Sequence, residues 1–229
     1  MMLATRLARV PPFERGLTLG DFLVPVRLGE RAATWQRNLL MIAACTLLII
    51  LGARISFYLP GYPEVPVSLQ TFGVLLGGAL LGFRRALAAV GLYILVGVAG
   101  LPVFAWDAAT ETYRSGMSTI VGIREGGFVL GGTGGYIIGF LVASGLVGRL
   151  AELGWDRRIG ASALAMLIGS LVIYAVGVPW LALAAGQDLG WAIGRGFYPF
   201  VLGDLLKVAV AAGLLPVGWW LVRRRSGDL

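Results

Sequence analysis

The chain has 229 residues, of which 58% are apolar and 14% charged; soluble domains carry about a quarter charged, so this one reads as a single integral membrane domain. No histidine and one cysteine, Cys45, leave no raw material for zinc sites, histidine acid–base chemistry, redox cysteine pairs or disulfide frameworks. A net charge of +7 would suggest a nucleic-acid partner in a soluble protein, but here the placement of the arginines explains it.

Residues 1–36 hold Arg6, Arg9, Pro11 and Pro12, with no apolar core of secretory length before Leu39. They are expected to form a cytoplasmic arm, either lying on the membrane or unattached. Six apolar spans can then be drawn, at about 38–59, 67–82, 85–101, 127–150, 159–183 and 199–222. With the N-terminus inside, the inner segments hold 14 arginines and the outer segments four: Arg54, Arg114, Arg124 and Arg195. That is the positive-inside pattern, and it accounts for the basic charge with no nucleic acid. The expected fold is therefore an all-α integral membrane protein of six transmembrane helices with both termini cytoplasmic. It divides into an arm (1–36), a membrane domain (37–225) and a short tail (226–229).

Spans two and three are short, roughly 24 Å each against a core nearer 30 Å. The tight turn Gly82-Phe83-Arg84-Arg85 joins them at the inner face. Outer connections are longer and carry Tyr62, Trp106, Tyr113, Trp191, Phe197 and Tyr198, which suit either an interfacial belt or a ligand lid. No internal repeat of the inverted-transporter kind is visible.

Spans two, four and six all enter from the outside, so three polar or small-residue clusters share one depth. Span two opens with Ser68, Gln70 and Thr71. Span four opens with a glycine-rich run that makes Phe128, Gly131, Thr133, Gly135 and Tyr136 candidates for a ligand wall. Its glycines 127, 131, 135 and 139 recur every four residues, a smooth stripe that admits either another helix or a flat ligand. Span six carries Asp204 and Lys207, roughly 8 and 12 Å below its start. A charge inside a span costs about 2.5–3.5 kcal/mol and marks a functional site by default. The pair is either a self-neutralising packing device, a binding site with Lys207 on a carboxylate and Asp204 on N–H donors, or a proton relay through Asp204. Gln70 can both donate and accept, which suits an amide or ureido group. Arg54 is expected to reach for the outer headgroups. No set of residues pairs a nucleophile with a base, so the chain is not expected to be an enzyme, and no cofactor or metal is expected.

The segment VPVSLQTFGVLLGGALLGFRRALAAVGLYILVGVAGLPVFA (65–105), with GGTGGYIIGF (131–140) and GDLLK (203–207), resembles the BioY family, the biotin-binding S components of energy-coupling-factor (ECF) vitamin transporters. The resemblance spans about residues 38–222. It implies six membrane helices and capture of biotin from outside, with Asp204 and Lys207 near the ligand. It also implies transport driven by a transmembrane coupling subunit and two ATPase subunits; the alternative is a solitary or proton-coupled biotin carrier. Three departures stand out. Gly132 replaces a customary proline, the loop 105–126 is long, and span one has Leu47 and Leu48 where a second pair of small residues would follow Ala43 and Ala44.

Overall fold

The computed structural model describes residues 16–23, 31–124 and 127–226. Its six principal helices are α2 (Arg31–Arg54), α3 (Gln70–Leu81), α4 (Phe83–Val98), α5 (Gly134–Glu152), α6 (Ile159–Ala185) and α8 (Tyr198–Ser226); α1 (Leu19–Leu23) and α7 (Leu189–Gly196) are short. Among the described residues, four helices are long and apolar enough to cross a membrane, at Thr34–Arg54, Gly134–Glu152, Ile159–Ala185 and Tyr198–Arg224, and α3 is a shorter apolar helix. The six helices follow the six apolar runs of the sequence.

The fold is mostly helical rather than all-α. Three antiparallel hairpins stand at one end: β1 (Ser56–Leu59) with β2 (Tyr62–Ser68), β3 (Trp106–Asp107) with β4 (Thr112–Tyr113), and β5 (Val121–Arg124) with β6 (Gly127–Leu130). The first turns on Pro60-Gly61, where Gly61 has φ +83°; proline presets the first turn position and glycine tolerates the positive φ of the second. Span one thus ends near Arg54 instead of continuing to 59. Span four begins at Gly134, because residues 127–130 pair with β5 and are not helical.

Helices α3 and α4 break at Gly82, whose φ of +77° disfavours other residues. Glu152 Oε1 accepts the exposed N–H of Phe83 at 2.9 Å, so the end of α5 fastens the turn. Glycines let α5 sit close to its neighbours. A Cβ on Gly135 would stand 2.2 Å from Trp180 Cβ, and one on Gly139 would stand 3.0 Å from Ile173 Cα. The helical part of the glycine stripe is therefore a helix–helix contact between α5 and α6. On α3, Gly78 meets the backbone of Ser144 in the same way.

At the arginine-rich end, residues 16–23 are docked, which corrects the picture of an unattached arm for that stretch; residues 1–15 and 24–30 of the arm and 227–229 of the tail lie outside the described residues. Thr18 N–H donates to Asp21 Oδ2 at 3.0 Å, the reciprocal half of a capping box. Leu19 is 3% exposed, and Phe22 meets Trp219 edge to face at 5.4 Å. Arg85 holds Asp21 with two nitrogens, at 2.6 and 3.0 Å. Burial opposes the charge of Asp21, but the Arg85 bonds outweigh it and keep the carboxyl below the usual range.

Candidate functional site

The first turn of α3 meets the middle of α8 just below the hairpins. Lys207 lies three residues beyond Asp204 on one face of α8, and its ammonium donates to Asp204 Oδ1 (2.8 Å), Thr71 Oγ1 (2.9 Å) and Ser68 O (2.7 Å). All three of its protons have acceptors. Asp204 Oδ2 accepts the hydroxyl of Tyr174 from α6. The side chains of Lys207 and Asp204 are 14% and 10% exposed, so the ion pair is sheltered and compensated by hydrogen bonds on every side.

Above this pair lies a cavity of about 60 Å³. Its polar floor is Asp204, Lys207, Gln70, Thr71, Ser68 and Tyr174, and its apolar wall includes Phe104, Ile137, Phe140, Ile173 and Phe200. Gln70 is buried, donating to Tyr93 Oη and accepting from Ser68 Oγ at 3.1 Å. Tyr136 and Thr133 also line the cavity. The Tyr136 hydroxyl donates to Gly196 O at 2.8 Å, which ties α5 to the end of α7.

Over the cavity mouth the hairpins are laced together by Arg114. Its guanidinium donates to Asp107 Oδ2 (3.1 Å), Thr133 Oγ1 (3.1 Å) and Tyr58 Oη (3.4 Å). Arg195 of α7 donates to Gly61 O and lies 5.4 Å from the centre of the Tyr62 ring. Arg54, exposed at the end of α2, also ties into these hairpins: it donates to Pro102 O at 2.7 Å and stacks on Tyr113 at 3.9 Å. Several loop aromatics are thus parts of this cap.

Of the residues singled out in the sequence, Lys207, Asp204, Gln70, Tyr136 and Thr133 converge on one cavity. Three do not. Phe128 is on β6, 83% exposed and outside the cavity lining, since residues 127–130 pair with β5 instead of starting α5. Gly131 follows that strand, and a Cβ there would stand 2.0 Å from Thr119 O. Gly135 faces Trp180. Both glycines serve close packing within the protein. Residues not singled out were Tyr174, Phe104 and Arg114. A tyrosine in the middle of the apolar helix α6 is a signal of its own, since its hydroxyl needs a partner there; Arg114 was visible as one of four outer arginines, but its partner could not be read.

A helical bundle that crosses a membrane several times and closes a partly polar cavity beneath a cap of hairpins is a multi-pass membrane protein built around a small-molecule pocket. The family model described as the BioY family matches residues 26–224, and the chain belongs to that family. It is 37% identical over 181 residues to the biotin transporter BioY of Thermotoga maritima, covering 77% of this chain and 92% of that protein. It is 35% identical over 192 residues to the biotin transporter BioY of Rhodobacter capsulatus, covering 76% and 89%. A crystal structure of the S-component for biotin from an ECF-type ABC transporter has the same fold, with a TM-score of 0.68 at 23% identity over 82% of this chain and 93% of that one.

Proposed function

We propose that the chain binds biotin from the hairpin side and is the substrate-capture subunit of a biotin uptake system in the cell membrane. The observation that carries this reading is the sheltered floor of paired donors and acceptors beneath an apolar wall, in a chain whose relatives are biotin transporters. A ureido group offers two N–H donors and one carbonyl acceptor. Asp204 and Gln70 can accept from it, and Thr71, whose hydroxyl makes only a long 3.5 Å contact with Asp204, can donate. The apolar ring system then rests on Phe104, Phe140 and Ile173.

The carboxylate goes elsewhere than first expected. Lys207 already spends its three protons on fixed acceptors, and an ionised carboxylate at that depth would have to displace one of them while losing its water. Arg114 is bonded to Thr133, which lines the cavity, and among the described residues three of its five N–H donors are in use, so it can take a carboxylate without giving up a bond. This supports a pose with the ureido end on the Asp204–Lys207 floor and the carboxylate at Arg114. The cavity is smaller than a bicyclic ligand, so entry requires the hairpins and α7 to move outward.

Six helices crossing the bilayer, with the arginine-rich end and both termini in the cytoplasm, fit the 14-to-4 arginine asymmetry; the membrane domain is then 37–225, with the arm and tail inside. Energy is supplied by partners: a transmembrane coupling subunit and two ATPase subunits, in keeping with the ECF-type assembly named for the structural relative.

Equilibrium binding of biotin and of biotinamide to the purified chain tests the pose. Arg114→Gln should lose the preference for the acid over the amide, whereas Lys207→Met should weaken both alike. No binding of either by folded protein would refute the capture role, and loss of the preference in Lys207→Met alone would reverse the pose.

A further inference from the structure

At the arginine-rich end, away from the cavity, an open groove of about 630 Å³ runs between α2, the α3–α4 turn and the end of α5. Arg37, Arg84, Arg85 and Arg149 stand on its walls. Against them are Glu152 in the wall and Asp21 behind Arg85 and Arg37; four cations less two anions leave the site at +2. Its cations are only partly used. Arg84 is exposed, and Arg149 is 61% exposed and, among the described residues, pairs with Glu152 at 2.9 Å. Glu152, in the same wall, supplies an acceptor beside these cations, so the groove suits a ligand that is anionic and also donates.

We propose that this groove holds the headgroup of an anionic phospholipid bearing free hydroxyls, a phosphatidylglycerol, with its phosphodiester among the guanidiniums and a hydroxyl on Glu152. Arginine is the side chain best suited to a phosphodiester, because its fork matches two phosphate oxygens. Basic grooves between membrane helices on the arginine-rich side are places where anionic headgroups collect. The surroundings favour a lipid over a dissolved phosphate. Phe83 in the wall is exposed, and so are Leu39 and Leu40, which follow Asn38 on α2. An acyl chain leaving the groove therefore finds an apolar surface waiting.

The test uses the full chain in a neutral detergent, with retained lipid counted by native mass spectrometry. Phosphatidylglycerol, phosphatidylcholine and soluble glycerol phosphate are compared on the parent and on Arg84→Gln/Arg149→Gln, which leaves the Asp21 bonds intact. Both lipids carry the phosphodiester, so the parent should retain phosphatidylglycerol over phosphatidylcholine by about tenfold because the groove, at +2, repels the choline cation. In the double variant, whose groove is neutral, that preference should fall while biotin binding stays unchanged. Equal retention of the two lipids by the parent, or an undiminished preference in the variant, overturns the proposal. Displacement of the lipid by glycerol phosphate at equal concentration also overturns it, in favour of a soluble-phosphate site.

Discussion

Removing Lys207 without removing Asp204 should damage the fold as well as the site, and a double variant separates the two effects. In Lys207→Met the apolar stem is replaced, but Asp204 Oδ1 loses its cation at 2.8 Å. The carboxylate, 10% exposed, then keeps only the Tyr174 hydroxyl and a long contact from Thr71 at 3.5 Å. Breaking a buried pair by deleting one partner costs about 3–5 kcal/mol. For a chain of this size each kcal/mol moves the melting temperature by about 2–4 °C, so the single variant should melt about 10 °C lower. Asp204→Asn/Lys207→Met buries no charge and keeps an acceptor for Tyr174, so it should recover most of that loss while still failing to bind biotin tightly. The apparent melting temperature in detergent can be followed through the intrinsic fluorescence of the seven tryptophans. If the single and double variants melt together, or the single variant melts with the parent, the reasoning from a compensated buried pair is wrong.

Gly135→Ala should lower expression and melting temperature sharply, since its Cβ would stand 2.2 Å from Trp180 Cβ, whereas Gly203→Ala meets nothing within 4 Å and should be neutral or raise stability by up to about 1 kcal/mol. Both are read from the same thermal melts. Phe128→Ser should leave biotin affinity unchanged, and a tenfold loss by equilibrium binding would return β6 to the site. Burial pushes the Asp156 carboxyl, in the turn between α5 and α6, up to about 6, although Trp219 Nε1 donates to it at 2.6 Å. A raised native value means that the folded state holds the proton more tightly, so stability falls as pH rises from about 4 to 6 and is flat above. Two units correspond to about 3 kcal/mol. Asp156→Asn keeps an acceptor for Trp219 and should melt higher than the parent at pH 7.5 but level with it near pH 4; a variant that is less stable at both values refutes the assignment.

Helix positions were legible because apolar runs of membrane length have few alternatives, and the break at Gly82 was legible because glycine next to two arginines ends an apolar helix at an interface. The Asp204–Lys207 pair announced itself by its cost. Phe128 misled for a specific reason. Four apolar or small residues preceding a helix are compatible with either helix or strand, and only pairing with Val121–Arg124, just upstream, decides it. Gly131 and Gly135 misled differently, since a surface that lets a ligand approach a backbone is the same surface that lets Trp180 or Thr119 approach it. Tyr174 and Arg114 needed three-dimensional neighbours to acquire meaning. Docking of residues 16–23 depends on Arg85, sixty-four positions beyond Asp21, a separation over which local pattern carries no information.

The shortness of α3 also sets how membrane voltage acts on loading. Thr71 touches Lys207 in the first turn, and ten residues later the helix ends at Leu81, about 15 Å away. With a bilayer core of about 30 Å, a substrate charge parked beside Lys207 would lie near the midplane and feel about half of the potential, roughly 1 kcal/mol per 100 mV. If biotin lies with its carboxylate at Arg114, as proposed, the neutral part of the molecule makes that descent and the charge stays short of that depth. Loading would then proceed almost independently of voltage, and the electrical work of moving the acid inward would be deferred to the release step.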